Sequence, residues 1–482
     1  MCRKAWGYRR SRLLALLYNM SLPDRASTWK KYVFDHRKEM MCSSHLDFKI
    51  KIISTDDSHL NYALNPKKIV RHQFYPFIEF TDVTRRYKKQ DDGITRKSEN
   101  KPRDLCYASH QDSLVYSWYG RLLGDLYQEY ITKKPFVSSV IAYRHIPIAD
   151  DIGRGKSNIH FATEVFNAIL EIGECTVLTF DVKKFFPSID HEQLKKMWCE
   201  VLNEYQLPAD HYAVFRSLTK YSIIKYNNLL DNFGTDDEKE QERFKGNRIC
   251  SSRELHAFRH TRIEGRKSIV QNQNSYGIPQ GSAMSGLLSN IFMMDFDEAV
   301  YAEVERYGGR YWRYSDDIAI VLPANVDPKP IDEFVRAQST KKKLNVHGPD
   351  KSAKIKFSQT TEGIESVEEP LDYLGFSFNG KKVLLRDKTM ARFYRRVSNG
   401  VRKEVSRAYK YRGRINVKKL QRQFTHLGLR SKSRRNFLSY AKNASGTTGS
   451  EEIKKQVSRT MHVLYKKIEK RKARYRRWSQ PK

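Results

Sequence analysis

The chain has 482 residues, 39% of them hydrophobic, and carries 89 Lys and Arg against 55 Asp and Glu, a net charge of +34 at pH 7. That length buries a core without staples, and so positive a balance points to a polyanionic partner such as nucleic acid. No segment is long enough to span a bilayer, and the six cysteines show no paired metal-ligand spacing, which predicts reduced thiols in the cytoplasm and no membrane partner.

Near the start, Arg9, Arg10 and Arg12 precede a short leucine run. The run is too short for a signal peptide and lacks a clear cleavage site, so residues 1–20 are expected to form an amphipathic helix. Residues 84–89, Thr-Arg-Arg-Tyr-Lys-Lys, make a basic and aromatic patch that could hold a structured RNA or a neighbouring subunit. Further on, residues 176–180 form a β-rich segment that ends on Asp181 and continues into Phe185 and Phe186. Residues 231–246 are polar and charged, as in an exposed loop between helices. Residues 273–286 then combine Gly277, Pro279 and Gly281 with small residues, predicting a tight loop that opens a helix through Leu287, Ile291 and Met294. A base pair could lie against that loop, with Gln280 donating from its amide; a glycine-rich loop packed on its own core would read the same way.

Residues 314–317 read Tyr-Ser-Asp-Asp between an aromatic run, 309–313, and an apolar β-branched run, 318–322. The pattern predicts a buried hairpin with two carboxylates at its tip. A polar turn would account for the tetrapeptide alone, but ionised acids at the end of an apolar hairpin call for a cation. Asp181 supplies a third acid at the end of another strand. An oxygen-only set with no His or Cys suits Mg²⁺ or Mn²⁺, and two such ions serve an in-line displacement at phosphorus.

The last fifth of the chain is the electrostatic handle. From Lys381 to Lys482 there are 33 basic and 5 acidic residues, a net +28, against 56 and 50 in the first 380. Tyr394, Tyr409, Tyr411, Phe424, Tyr465, Tyr475 and Trp478 are interleaved with those bases, giving planes for stacking as well as charges for phosphates. The region reads as helical, with a flexible break over residues 443–450 and a terminal stretch, 466–482, expected to be a disordered arm that orders on RNA.

In order, the blocks at Asp181, at 273–286 and at Tyr314-Ser315-Asp316-Asp317 resemble motifs A, B and C of reverse transcriptases. Tyr373-Leu374-Gly375-Phe376 resembles the primer grip, and residues 344–351 resemble the segment carrying the lysine that assists pyrophosphate departure, here Lys351. Tyr143-Arg144 and residues 155–162, with Lys156, resemble fingers segments of retron, group II intron and abortive-infection enzymes. The resemblance implies an α+β right-hand polymerase, with fingers, a palm built on an antiparallel sheet, and a helical thumb. Its expected division is an N-terminal extension over 1–100, fingers over 101–175, a palm over 176–380 with a helical insertion near 191–270, and a basic thumb and arm over 381–482.

The same resemblance implies the site. Asp181, Val182, Asp316 and Asp317 would hold two Mg²⁺ ions, and Asp181, Asp316, Asp317 and Lys351 would be catalytic. Arg144, Lys156, Phe185, Phe186, Gln280 and Gly281 would contact substrate. Related RNA polymerases carry a second aspartate five residues after the first; here that position is Phe186. A ring at the sugar edge excludes a 2′-hydroxyl and offers it no hydrogen bond, so dNTPs are the expected substrates and DNA the product. The chain looks most like bacterial defence-associated reverse transcriptases of the unknown-group and abortive-infection type, with the homopolymer-making type 9 systems as the first candidate. Such enzymes use a structured non-coding RNA as template, and some are homo-oligomers. A non-catalytic RNA-binding or splicing-support protein and an RNA-templated RNA polymerase are the alternatives.

Overall fold

The computed structural model describes residues 21–40, 43–89, 96–148, 151–233, 248–263, 265–348, 352–411, 413–430 and 436–478. The expected N-terminal helix over 1–20, most of the polar stretch 231–246, Lys351, and the side chains of residues 84–89 lie outside what is described.

At the centre lies a five-stranded sheet in the order Arg310–Tyr314, Asp317–Pro323, Cys175–Asp181, Ala353–Thr360, Gly363–Ser366, with every neighbouring pair antiparallel. Period-two alternation decides what each face buries. Leu178, Phe180, Ile318, Ile320 and Leu322 join one apolar cluster, while Val177, Ala319, Val321, Ile355 and Phe357 join another on the opposite face. The sheet therefore divides two cores, which is why its strands read as almost unbroken apolar runs. Each large side chain removed from water contributes about 1.5–3 kcal/mol toward the cost of ordering the chain.

The first cluster is completed by helices His110–Thr132, His191–Leu202, Ser285–Phe292, Met294–Arg306 and Pro328–Lys341. The second is completed by Asn158–Ile172, by a small sheet of Leu371–Tyr373, Phe376–Phe378 and Val383–Leu385, and by Phe437–Thr448. The expected helix through Leu287, Ile291 and Met294 is two helices, because Met293 ends the first and Met294 begins the second.

A second sheet is built on a long antiparallel hairpin, Phe77–Lys89 with Arg96–Tyr107, paired from Ile78↔Tyr107 to Lys89↔Arg96. Its base is anchored by Ser222–Lys225, which runs parallel to Phe77–Glu79.

The C-terminal helices pack on one another through a narrow stripe. Asp387–Lys410 buries Phe393, Val397, Val401, Val405 and Ala408, at the spacing of a single helix face, against Leu420, Phe424, Leu464 and Ile468. Two expectations are corrected here. Residues 443–448 continue the helix Phe437–Thr448, and the break falls at Gly449, whose φ of +68° suits a helix terminus. The arm expected from 466 onward is helical as far as Trp478, because Ile468 is buried and Tyr475 stacks on Tyr409 at 4.7 Å between centroids. No described helix is long and apolar enough to cross a membrane. Cys106, Cys175, Cys199 and Cys250 are buried thiols outside any disulfide.

Candidate active site

Register alone brings the three acids together. In the hairpin, Tyr314 pairs with Asp317, so Ser315 and Asp316 form a two-residue turn, and Ser315 takes a φ of +62°. On the other side Asp317 pairs with Asp181 across the antiparallel ladder. Directly opposed like charges are unfavourable in a sheet. The end of the Asp181 strand is clamped as well: Val182 N–H donates to Asp316 O at 3.3 Å, His347 N–H to Asp181 O at 2.9 Å, and Lys183 N–H to Asn345 O at 2.7 Å.

The electrostatics record the crowding. Desolvation, followed by the charges of Asp316 and Asp181, pushes the Asp317 carboxyl up to about 7, with Arg386 and Arg103 pulling the other way. Because the Asp317 side chain is still reached by solvent, repulsion among the acids is the firmer cause. Among the described residues no three acidic, His or Cys side chains converge as a finished metal cage. The donor chemistry fits a hard divalent cation nevertheless: the three acids offer only oxygen and their charges repel, so a cation would relieve them, while the expectation of no nearby His is corrected by His347, whose Nε2 lies 3.9 Å from Asp181 Oδ2.

The Gly277–Gly281 loop is stitched onto the segment that follows Asp181. Gly277 N–H donates to Ile189 O at 2.8 Å, Ile278 N–H to Phe186 O at 3.1 Å, and His191 N–H to Ser275 O at 3.0 Å. Gly281, at φ +107°, passes so close to the hairpin base that an added Cβ would stand 2.7 Å from Cys106 O. Its neighbour Gln280 accepts from Cys106 N–H at 2.7 Å through the main chain. Phe186 is thereby held half-buried next to the loop, while Phe185 is buried beside it with ring centroids 5.6 Å apart.

Residues 149–378 match the family described as reverse transcriptase (RNA-dependent DNA polymerase). Those residues are similar to a reverse transcriptase domain. The fold fits an α+β right-hand polymerase. No curated protein matches the chain. Among solved structures, apo telomerase from Candida tropicalis truncated from its C-terminal domain is 10% identical, over 66% of this chain and 58% of its own, with a TM-score of 0.39. Telomerase from Candida albicans with a TWJ fragment of telomeric RNA is 13% identical, over 85% and 58%, with a TM-score of 0.39. The Sicinivirus 3Dpol RNA-dependent RNA polymerase is 14% identical, over 65% and 54%, with a TM-score of 0.33. The chain spans less than two thirds of the length of each of these structures.

Around the acids, the fold places the other expected residues unevenly. Tyr373 and Phe376 end and begin adjacent strands, and Leu374 and Gly375 form the turn between them with φ of +44° and +98°. The Tyr373 hydroxyl is buried without a hydrogen-bond partner, and burial together with the Asp317 charge pushes it well up. Lys156 is paired with Glu164 at 2.5 Å. The Arg144 guanidinium turns into the protein, donating to Val137 O at 2.6 Å, Val140 O at 2.7 Å and Gln128 Oε1 at 3.1 Å. The structure thus sets Arg144 and Lys156 in internal contacts.

Three residues matter that the sequence alone does not single out. Arg313 is fully buried and forms an ion pair with buried Asp297 at 2.6 Å. It also donates to Asn290 Oδ1 at 3.3 Å and to Ser315 O at 3.2 Å, while Tyr311 donates to Asp297 at 2.6 Å. This buried network props the turn that carries Asp316. Its only signal in the sequence is an arginine inside a buried strand. Arg103 and Arg386 sit near enough to Asp317 to oppose its raised pKa. Arg103 comes from the long hairpin, and Arg386 is tied to the primer-grip-like turn by a bond from its N–H to Gly375 O at 3.1 Å.

Proposed function

We propose that the chain is an RNA-directed DNA polymerase that extends DNA from dNTPs in the cleft floored by Asp181, Asp316 and Asp317. The observation that carries this reading is the pairing of Asp317 with Asp181 across two strands of the region similar to a reverse transcriptase domain. Asp181, Asp316 and Asp317, with Val182 alongside, would hold two Mg²⁺ ions, with Mn²⁺ as the substitute. Bound there, the ions supply activation of a 3′-hydroxyl and charge neutralisation at the leaving pyrophosphate.

The chain's own residues do the positioning. Phe186, held against the glycine loop, excludes a ribose 2′-hydroxyl; Gln280 and Gly281 support the nascent pair; Lys351 stabilises the departing pyrophosphate. Arg103 and Arg386, the latter paired with Asp372 at 2.9 Å, would balance phosphate charge next to Asp317. The lobes divide as an extension over 1–100, fingers over 101–175, a palm over 176–380 and a basic thumb over 381–482, which grips the template–product duplex. A structured non-coding RNA as template, a role in bacterial antiphage defence and a cytoplasmic location complete the proposal. Their support is the resemblance of the motifs together with the net charge of +34.

Purified protein incubated with Mg²⁺, an RNA template and labelled nucleotides tests this directly. Incorporation of dNTPs is expected. Preference for NTPs would make it an RNA polymerase, and no incorporation with RNA still bound would leave the non-catalytic reading standing. In the same assay, Phe186→Ala should lower discrimination against ribonucleotides about 10- to 100-fold; unchanged selectivity would remove the gate. Sequencing the RNA that co-purifies would name the template.

A further inference from the structure

Tyr143 is bound up with the acid turn, yet nothing in the catalytic reading uses it. Its φ is +55°, in the left-handed region, where a residue bearing a Cβ costs roughly 1–2 kcal/mol. The segment around it is pinned from several sides. Ile141 N–H donates to Arg313 O at 3.1 Å, Ala142 O accepts from Asn290 Nδ2 at 2.7 Å, and Arg144 is anchored on the carbonyls of Val137 and Val140. The same Arg313 and Asn290 prop the Asp316 turn, so Tyr143 and that turn share one rigid support.

The ring has a purpose-built seat. An added Cβ at Gly286, in the first turn of Ser285–Phe292, would lie 2.6 Å from Tyr143 Cδ1 and 2.7 Å from Cγ. Only glycine lets the ring lie there, although glycine weakens a helix by about 1 kcal/mol relative to alanine. Crowded on that face, Tyr143 is still 53% exposed. The main chain leading to the ring runs beside the hairpin that carries the acids, with Val140 bridged to Arg313 and Ile141 N–H bonded to Arg313 O.

A strained, seated and half-open aromatic ring between the glycine loop and the acid turn suits a base far better than a core. Resting on the polymerase reading, we propose that the open face of Tyr143 stacks on the terminal base pair of a bound primer–template duplex and so fixes the 3′ end above Asp181, Asp316 and Asp317.

Binding of a fluorescent RNA–DNA primer–template to the full chain, followed by anisotropy without nucleotides, tests this independently of turnover. Tyr143→Phe should bind as the parent does. Tyr143→Ala should bind about 5- to 150-fold more weakly, the loss of one stacked base, with an unchanged melting temperature. A 2-aminopurine at the primer terminus should brighten in Tyr143→Ala and not in Tyr143→Phe. Gly286→Ala, which displaces the ring, should reproduce the Tyr143→Ala defect, and the double variant should be no worse than Tyr143→Ala alone. Parent-like affinity and quenching in Tyr143→Ala, or fully additive losses in the double variant, would overturn the inference. A parent that binds duplex through Tyr143 yet incorporates nothing would instead count against the polymerase reading.

Discussion

The acidic floor and the C-terminal helices use charge in opposite ways. In the floor, strand register forces like charges side by side, and the cost appears as the raised pKa of Asp317. In the C-terminal region, the described helices meet along a thin apolar stripe and leave basic side chains such as Arg396, Arg402 and Lys403 exposed to water. Glu404 is an instructive exception: it is buried in the bundle, but Arg407 at 2.5 Å and Lys419 at 3.1 Å hold its carboxyl below the usual range despite the desolvation that opposes them. The lesson is that concentration, and not the amount of charge, marks chemistry. On the proposed reading the +28 end would supply grip and the three acids the reaction.

That contrast can be broken most sharply at the floor. Asp181→Ala and Asp316→Ala should each lower nucleotide incorporation by about 10³ or more, while metal-free melting temperature stays level or rises because repulsion is relieved. Parent-like rates in both would refute the assignment. Beneath the floor, Asp297→Asn strips the partner from buried Arg313. Breaking such a pair costs about 3–5 kcal/mol, readable as a lowered midpoint in urea unfolding; a change below about 1 kcal/mol would mean that the network does not prop the turn.

The pH response follows from the sign of the Asp317 shift. Its folded pKa, about 7, lies above the free value of 3.8, so the stability that Asp317 contributes to the metal-free fold is lost as pH rises from about 4 to about 7, with nothing further lost to this group above that range. A cation must displace the proton below pH 7. Apparent Mg²⁺ affinity by calorimetry should therefore climb up to about tenfold per pH unit and then level off, with the slope abolished in Asp317→Asn. The smallest effects belong to the C-terminal helices. Neutralising Arg396, Arg402 or Lys403, all exposed, should leave the turnover number unchanged and reduce the salt slope of duplex binding by about 0.9 for each phosphate that the variant no longer neutralises.

What could be read from the sequence follows the same division. The strands around Asp181 and Asp317 were legible because a central strand buried on both faces needs an apolar run, and an acid at its end stands out. The glycine loop was legible through Gly277 and Gly281, whose positive φ angles no bulkier residue adopts easily. Arg103 was not, because its approach to Asp317 depends on a long hairpin whose pairing no local pattern reveals. Arg144 and Lys156 stood in motif-like segments, yet their cations meet carbonyls and a carboxylate, partners that only the folded chain displays. The terminal helix differs from its sequence expectation for a physical reason. A stretch this basic looks soluble and unstructured until Leu464, Ile468 and Tyr475 find their partners farther upstream.

The pairing of Asp317 with Asp181 also bears on how such a site can change over time. Side chains alternate across a strand, so inserting or deleting one residue within either strand would send the acid to the opposite face and exchange the two cores at once. Variation in length is therefore shut out of this part of the chain, and substitutions are the sole route open to it.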